Sequence, residues 1–475
     1  MNTISNNYSK NNINDRTKRD DIQPWALFLP EIKELICDKK FHELKKLLKG
    51  VHPIDLAEGW VNFLPKEKLI VFKLLEIRKA VEVFEELDFE EQTYILNNLE
   101  DISISEILTG MASDEKAKLF KKFPERIYKK MTTLLRKEDV DEVKNIVEYP
   151  KNTAGRLMST DFVTLSPSLT AKHSLEKIQA CARIHKIETI YVLYVVDDRN
   201  ILIGGVTLRR LISAPQDIKI SDIMSPVQLI KINVKTDQED VAKKFSKYDL
   251  TAAPVVDDEN HLIGIITIDD IVDVIQQEAS EDIAKMGGTS ASELSADSVV
   301  KVVRYRMPWL FVTFLGGLVT SWIMSGFQRT LSEIIALASF IPVVLGMGNN
   351  IGVQSAVIVV RALVIGQFEI KKVLSAIFRE FKVGLLIGVV FGLFLGVVAY
   401  IKNRHGVPPE IYFAFAVGSG ICASMTFAAL IGMLIPVILY KFKIDPAVAS
   451  GPFVATATDI VSLTSYLVIS TVILL

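Results

Sequence analysis

The sequence is poor in cysteine and histidine, with three cysteines and six histidines among 475 residues. Cys37, Cys181 and Cys422 are far apart and odd in number, which argues against a disulfide framework and against a zinc site. The histidines show no metal-ligand spacing either. We therefore expect reduced structural thiols, and histidines that serve as surface or packing residues.

A strong net charge, a signal peptide and a catalytic motif are also missing. The formal net charge of −2 gives no indication of nucleic-acid binding. Residues 1–21 are polar and rich in asparagine, without the apolar core of a signal peptide. Because we find no nucleophile elbow, phosphate-binding glycine loop or His/Asp/Ser constellation in a soluble context, we predict that the protein is not an enzyme.

Long apolar runs are confined to the second part of the chain. Lys, Glu and Asp are frequent up to about Arg306, and apolar runs dominate beyond it. Each run reaches the roughly 20 residues that a helix needs to cross about 30 Å of hydrocarbon. The five candidate spans cover residues 307–327, 334–360, 383–401, 411–440 and 447–475.

These spans predict a multi-pass protein of the cell membrane, either plasma or inner membrane. Lysine and arginine are more frequent at the span ends that face the charged part of the chain than at the opposite ends. Such an excess marks the cytoplasmic side of a membrane protein. We therefore expect a cytoplasmic N-terminus. An odd number of spans then places the C-terminus outside.

The charged part begins with two segments of different character. Residues 1–22 are low in apolar content and are predicted to form a disordered tail. Over residues 23–150 the apolar residues recur at helical intervals, with breaks at Pro53, Pro65, Leu87-Asp88, Ser103 and Pro124. Short helices joined by short turns predict an all-α domain of stacked helical hairpins.

An internal repeat follows between residues 151 and 277. Each copy offers a helix, a short apolar strand, a turn, a second strand and another helix. The matched segments are Met158-Ser159 with Met224-Ser225, Ile190 to Asp197 with Ala253 to Asp257, and Gly205 to Thr207 with Gly264 to Thr267. The two copies, residues 151–214 and 215–277, resemble a tandem pair of α/β CBS domains, a module that often senses a small ligand.

In CBS modules a threonine followed three residues later by an aspartate commonly holds the ribose of a nucleotide. The second copy keeps this pair as Thr267 and Asp270, so the resemblance implies a nucleotide site, with ATP as a regulatory ligand. In the first copy Thr207 is followed by Arg210, which departs from the pattern. The alternative role for the threonine is to cap the following helix.

Acids are dense after the repeat. Helical spacing places Asp270, Asp273 and Glu281 along one side of a helix. Carboxylates on adjacent turns repel one another unless cations lie between them, so the segment is typical of a divalent-cation sensor. A plain acidic helix surface is the alternative. We assign residues 278–303 to a plug helix that connects the repeat to the membrane part.

The last span carries one acid, Asp459. A charge near the middle of a bilayer costs at least a few kcal/mol, so we interpret Asp459 as an ion site. The alternative is a buried aspartate whose hydrogen bonds are satisfied by neighbouring helices. Hydroxyls, carbonyls and a carboxylate suit a hard cation such as Mg²⁺, which keeps several of its waters. One carboxylate per chain is little charge for a divalent ion. A two-fold homodimer that brings two of them together on its axis is therefore expected.

The second span combines several glycines with the amide side chains of Asn349, Asn350 and Gln354. Such a composition is unusual for a helix that faces lipid. Small residues allow close backbone approach, and Gly348-Asn349-Asn350-Ile351-Gly352 predicts a break in the helix whose freed carbonyls line a cavity. Helix packing alone is the alternative for the glycines, but it would not require the three amide side chains.

From about residue 25 onward the sequence resembles the MgtE family of magnesium channels or transporters. The most specific matches are Pro342 to Gln354 with Arg361 beyond, and Asp445-Pro446 followed by Ala455-Thr456 and Asp459. The resemblance implies a multidomain membrane protein with a helical N-terminal domain, tandem CBS domains, the plug helix and a five-helix membrane domain over residues 304–475.

The resemblance also implies site residues. Asp459 would be the pore carboxylate of each subunit, with Asn350, Gln354 and Ala455 beside it. Cytosolic Mg²⁺ would hold the closed state by binding to acids of the soluble domains and the plug helix. The matching sensor positions are Asp114, Asp249, Asp270, Asp273, Glu278, Glu281 and Asp282. The implied partners are a second copy of the chain, the lipid bilayer and Mg²⁺ or other divalent cations, without nucleic acid.

Some positions depart from the family pattern. The expected partner of Asp114 one turn later is Lys118, which should weaken that site. The usual Gly-Gly-Asn reads Gly348-Asn349-Asn350, and Ala429 stands where an asparagine can occur. Two other functions stay open from the sequence: a transporter of Co²⁺, Mn²⁺ or Ca²⁺, and a membrane-anchored CBS regulator that senses a nucleotide.

Overall fold

The structure is a computed structural model that describes residues 24–184, 191–226, 230–293, 296, 298–364, 373–402, 409–449 and 451–475. The tail predicted over residues 1–22 lies outside the described residues. The chain divides into two compact units, here called the first unit, residues 1–274, and the second unit, residues 275–475.

The first unit begins with a domain built only of helices. Helices two apart in sequence pack on each other, as α3 does on α5, α5 on α7 and α7 on α9. This arrangement confirms the predicted all-α domain of short stacked helices. The helices are α1 Pro24–Cys37, α2 Phe41–Gly50, α3 Pro53–Glu58, α4 Pro65–Leu74, α5 Ile77–Glu86, α6 Phe89–Asn98, α7 Asp101–Gly110, α8 Ser113–Lys122, α9 Glu125–Leu134 and α10 Lys137–Glu148.

Apolar residues end these helices at a constant interval along the chain. Each adopts an extended conformation that stops the helix, and all but the first of them are buried, so that the turn itself contributes to the core. These residues are Leu75, Leu87, Leu99, Met111, Phe123 and Leu135. The break predicted at Ser103 is wrong, because the chain turns at Leu99 and Ser103 lies inside α7.

The repeat forms an α/β pair of CBS-like modules. Its elements are α11 Ala154–Leu157, β1 Thr164–Leu165, α12 Ala171–Ile184, β2 Val192–Val196, β3 Leu202–Thr207, α13 Leu208–Ser213, α14 Ile220–Ile223, β4 Ser225–Pro226, β5 Ile232–Asn233, α15 Gln238–Tyr248, β6 Ala252–Val256, β7 Leu262–Thr267 and α16 Ile268–Met286. The two sheets have the strand orders β1-β2-β3-β4 and β5-β6-β7.

The two copies match in register. Antiparallel β2 and β3 pair Val192 with Thr207, and β6 and β7 pair Ala252 with Thr267. A parallel strand flanks each hairpin, β1 in the first sheet and β5 in the second. The core of the second copy is continuous with that of the helical domain, so the two are packed together within the first unit.

The helix α16 runs from the end of β7 to Met286. It therefore begins before the plug helix that we predicted over residues 278–303, and it ends at Met286, inside that range. A short 3₁₀ turn at Ala291–Glu293 follows, and the next long helix begins at Val299.

Five helices in the described part of the chain are long and apolar enough to cross a membrane. They are α17 Val299–Gly326, α19 Ile341–Val364, α20 Val373–Lys402, α21 Glu410–Lys441 and α22 Pro452–Leu474, with a short α18 Gln328–Glu333 after the first. The central helix α21 packs against α19, α20 and α22. The 3₁₀ segments Ile335–Phe340 and Pro446–Ala449 precede α19 and α22.

The predicted break in the second span is wrong. The helix α19 is continuous through Gly348, Asn349, Asn350 and Gly352. Gly348 and Gly352 allow close helix packing, and the backbone carbonyls remain within the helix.

Candidate functional site

Asp459 lies at the end of the second turn of α22, within an apolar span. The residue is half-buried, and Ala455 one turn earlier is half-buried as well. Within the described ranges the Asp459 carboxylate forms no hydrogen bond and no ion pair. An intramembrane carboxylate without a protein partner is available to a cation.

Glycines of α19 bring that helix against α22 on either side of Asp459. A Cβ atom on Gly348 would lie 2.0 Å from Ser462 Oγ, and one on Gly352 would lie 2.3 Å from Thr458 Cγ2. Thr458 Oγ1 also approaches Asn349 Oδ1 at 3.5 Å. Because Asp459 falls between Thr458 and Ser462, and Asn350 between the two glycines, both lie at the same depth of the bundle.

One face of α19 is polar and open. Gly346, Asn350 and Gln354 follow one another at four-residue steps, and all three are exposed in the single chain. Among the described residues, no other helix brings an atom within 4 Å of the position that a Cβ on Gly346 would occupy. Amide side chains are poorly suited to contact with lipid, so this face fits a cavity or a partner better than it fits the bilayer.

The two pore departures have different environments. Ala429 is fully buried, and its Cβ lies 3.0 Å from the position of a Cβ on Gly384, so it fills the contact between α21 and α20. Asn349 instead faces Thr458 of α22. Ala429 is therefore a packing residue in this chain.

The end of α16 contacts the segment before α22. Lys285 Nζ lies 2.6 Å from Asp445 Oδ2 and 2.7 Å from Glu281 Oε1. Burial alone would lower the pKa of Lys285, but Asp445 and Glu281 outweigh it and raise that pKa, so the side chain is an ammonium. Lys285 therefore joins one predicted sensor acid to the motif that opens the last span.

Three carboxylates converge in the first unit. Oxygen atoms of Asp114, Glu115 and Asp270 all lie within 4.8 Å of one another. Lys118 Nζ lies 2.5 Å from Glu115 Oε1, 3.2 Å from Asp270 Oδ1 and 3.4 Å from Asp114 Oδ2. The cluster thus combines two predicted sensor acids, an additional glutamate and the lysine that departs from the family pattern.

The electrostatics of this cluster favour a charged lysine. Burial alone would lower the pKa of Lys118, but Glu115, Asp270 and Asp114 outweigh it and hold that pKa well above its usual value. Burial raises the pKa of Asp270, and the neighbouring Lys118 acts in the opposite direction. The ammonium therefore compensates part of the carboxylate charge.

The remaining predicted sensor acids are more dispersed. Asp273 is exposed on α16. Burial raises the pKa of Glu86, and the Asp273 carboxylate adds to this effect. Asp249 is exposed at the end of α15, in a left-handed conformation. Glu278 and Asp282 are half-buried along α16.

The predicted nucleotide pair lies at the junction of β7 and α16. Thr267 is buried, and its hydroxyl donates to Asp270 Oδ2 at 3.2 Å. In the first copy Thr207 caps α13 by accepting a hydrogen bond from the Arg210 backbone N–H. The second copy thus keeps the hydroxyl and carboxylate together, although Asp270 also contacts Lys118.

Sequence reasoning missed Glu115, Lys285 and the pairing of Asp445. Lys285 follows Glu281 by one helical turn, a spacing that predicts an ion pair. The contact of Lys285 with Asp445 spans 160 residues and has no local signal. Glu115 is adjacent to Asp114, but only the fold shows that it faces Asp270.

The fold and the intramembrane acid define a multi-pass membrane protein with a CBS-containing part outside the bilayer helices. Family models match in three regions. The MgtE intracellular N domain matches residues 51–152, the CBS domain matches residues 154–217 and 220–277, and the MgtE divalent cation transporter matches residues 341–469.

Relatives match along nearly the whole chain. The magnesium transporter MgtE of Thermus thermophilus is 33% identical over 448 residues, which is 93% of this chain and 98% of that protein. The magnesium transporter MgtE of Bacillus subtilis is 31% identical over 438 residues, 92% of this chain and 95% of that protein. The chain belongs to the MgtE family.

A solved structure matches the part outside the membrane. The crystal structure of the soluble part of a magnesium transporter is 29% identical, covers 54% of this chain and 99% of that chain, and has a TM-score of 0.50. The predicted order of helical domain, CBS pair and five spans is therefore confirmed.

Proposed function

We propose that the protein carries Mg²⁺ across the membrane, with Asp459 as the carboxylate that meets the ion. The observation that carries this proposal is the position of Asp459 at the depth of the open polar face of α19. The carboxylate has no protein partner among the described residues. The waters bound to a hydrated Mg²⁺ can donate hydrogen bonds to amide, carbonyl and carboxylate oxygens, so Asn350, Gln354 and the Ala455 carbonyl are the supporting ligands.

A homodimer completes this site. A single carboxylate leaves a divalent ion half neutralised, and a two-fold axis supplies a second one. The exposed amide side chains of α19 must also be shielded from contact with lipid. Both requirements are met if the same face of two chains lines one pore.

Mg²⁺ closes this pore from the cytoplasmic side. The acids along α16, Glu278, Glu281 and Asp282 among them, bind the ion and favour the closed arrangement. Binding that prefers one state shifts the population by its differential affinity. The contact of Lys285 with Asp445 supports this coupling, because it joins the end of α16 to the segment before α22. The N-terminus is cytoplasmic in this proposal.

Removal of the Asp459 carboxylate tests the transport site. Asp459→Ala should abolish Mg²⁺ uptake into proteoliposomes, and Asp459→Asn should keep the fold but lose most flux. Thr464→Ala, a polar change further along α22, is the matched control and should transport normally. If Asp459→Ala carries Mg²⁺ as well as the unchanged protein does, the assignment is wrong.

Selectivity for Mg²⁺ over other divalent cations needs its own measurement. The amides and carboxylate are hard oxygen donors and therefore favour Mg²⁺, Ca²⁺ or Mn²⁺ over softer metals. Flux of Mg²⁺, Ca²⁺, Mn²⁺ and Co²⁺, each measured alone and in competition, separates a magnesium transporter from a general one. Faster flux of another ion at equal concentration would favour that ion as the substrate.

A nucleotide is the second candidate ligand. The Thr267 hydroxyl and the Asp270 carboxylate, 3.2 Å apart, match the pair that holds a ribose. ATP would then modulate the Mg²⁺ dependence of closure. Titration of the full-length protein with ATP, with Thr267→Ala as the variant, tests this site. Equal ATP affinity in the two proteins would exclude it.

A further inference from the structure

The strongest unassigned feature is the ammonium of Lys118. It stands where three carboxylate oxygens come within 4.8 Å of one another, a spacing that a metal ion would otherwise bridge. Asp114 and Glu115 lie on α8 of the helical domain, and Asp270 lies on α16 of the CBS pair. The lysine therefore lies at a contact between two domains of the first unit, with a charge that compensates acids from both.

Because Asp114 and Asp270 are largely buried, the contact between the two domains depends on the positive charge of Lys118. The Asp114 side chain is 2% exposed and that of Asp270 is 10% exposed, whereas Lys118 retains 40%. Two buried carboxylates that face each other repel strongly when no positive charge lies between them. The Lys118 ammonium is attached to the same helix as Asp114. Its positive charge is therefore present beside the carboxylates whatever the concentration of free cations in solution.

Hydrogen bonds that involve no side-chain cation reinforce the same contact. The backbone N–H of Ser113 donates to Asp161 Oδ2 at 2.8 Å, and the backbone N–H of Thr160 donates to Ser113 Oγ at 2.8 Å. Ser113 and Ser159 are almost fully buried, with their hydroxyls 3.3 Å apart. The first turn of α8 is thus attached to residues 159–161 of the CBS pair.

We propose that Lys118 is a tethered cation that keeps the helical domain docked on the CBS pair when Mg²⁺ is absent. A free Mg²⁺ would have to displace the ammonium to bridge Asp114 and Asp270. The Mg²⁺ response of this chain therefore resides in the other acids, and the contact at α8 is constitutive. As far as it concerns gating, this inference rests on the function proposed above.

Hydrogen–deuterium exchange on the full-length protein in lipid nanodiscs tests the docking directly. Peptides that cover residues 113–122 and 159–161 are followed with excess EDTA and with Mg²⁺. In the unchanged protein their protection should be the same in both conditions. In Lys118→Met, exchange in EDTA should be faster by about tenfold, since two buried carboxylates lose their charge partner.

Added Mg²⁺ should restore protection in Lys118→Met, because the three carboxylates then accept the ion. Lys122→Ala, an exposed lysine on the same helix, is the matched control and should behave as the unchanged protein does. Loss of protection in the unchanged protein on addition of EDTA would overturn the inference. So would full protection of Lys118→Met in EDTA.

Protection of α5 reports whether the helical domain of the variant is folded. If Lys118→Met loses this protection too, Asp270→Asn takes its place, because it removes the partner on the CBS side alone. Faster exchange of residues 113–122 in EDTA then supports the inference, and unchanged exchange overturns it. Mg²⁺ flux measured on the same samples distinguishes the two proposals. If the unchanged protein carries no Mg²⁺ but shows the expected exchange at residues 113–122, only the transport proposal is rejected.

Discussion

At the scale of single residues, small side chains decide how closely the membrane helices approach. The closest approach to a backbone atom is between Gly432 of α21 and Gly352 of α19, where a Cβ on Gly432 would lie 2.1 Å from the Gly352 carbonyl oxygen. A backbone atom cannot move aside as a side chain can. Since Gly352 also contacts Thr458, the position of α19 beside Asp459 depends on this contact.

Gly432→Ala should therefore separate α21 from α19 and lower the stability of the membrane domain by about 1–3 kcal/mol. A lower apparent melting temperature of the purified protein, together with reduced Mg²⁺ flux, is the expected result. Gly317→Ala is the control, because no atom lies within 4 Å of a Cβ at that mid-helix position. Equal melting temperatures for the two variants would show that the contact does not limit stability.

At the scale of elements, the end of α16 is fitted closely to the beginning of α22. A Cβ on Gly451 would lie 2.7 Å from the Met286 carbonyl oxygen, and one on Gly288 would lie 2.9 Å from Pro452 Cγ. Gly288 also has φ of +72°, a conformation that favours glycine. The turn after α16 therefore packs against the first turn of the helix that carries Asp459.

Lys285→Ala removes the ion pair that joins these two elements. If the joined arrangement is the closed one, the variant should need about two- to fivefold more Mg²⁺ for half-maximal closure, as expected for loss of a partly exposed pair. Flux into proteoliposomes, with Mg²⁺ varied on the side of the soluble domains, measures this shift.

Lys301→Ala, an exposed lysine on α17, serves as the control for Lys285→Ala. Asp445→Asn should give a similar shift, and the double variant should add little to either single change. An unchanged Mg²⁺ dependence in both single variants would show that the pair does not take part in closure.

At the scale of the whole molecule, the open face of α19 is the feature that a single chain leaves incomplete. Gly346, Asn350 and Gln354 are exposed, whereas the helix on its other sides packs against α21 and α22. The exposed side chains in the middle of α20, over residues 383–398, are apolar by contrast, for example Leu386 and Phe394. The polar face fits a second copy, and the apolar faces fit lipid.

Cross-linking between copies tests this arrangement. With the native cysteines replaced, Gln354→Cys should form dimers with a short bifunctional thiol reagent in native membranes if the proposed two-fold axis passes beside this face. Leu386→Cys on α20 should not. Equal yields for the two positions, or none for Gln354→Cys, would place the dimer contact elsewhere.

Much of this architecture could be predicted from the sequence. Apolar periodicity, the repeat around Thr207 and Thr267, and the length of the apolar runs each report local structure. The helix break at Gly348 to Gly352 was wrong, because glycine patterns alone do not distinguish a broken helix from a closely packed one. The contacts of Gly352 with Thr458 and Gly432 show that packing is the role here.

The sequence by itself determined the class of fold, the spans and the presence of one acid in the last span, because each depends on residues near one another in the chain. Only the tertiary structure decided what Lys118 and Lys285 do. Lys118 meets Asp270 across 152 residues, and Lys285 meets Asp445 across 160. Charge partners so far apart leave no pattern in the sequence, since folding alone brings them within reach of each other.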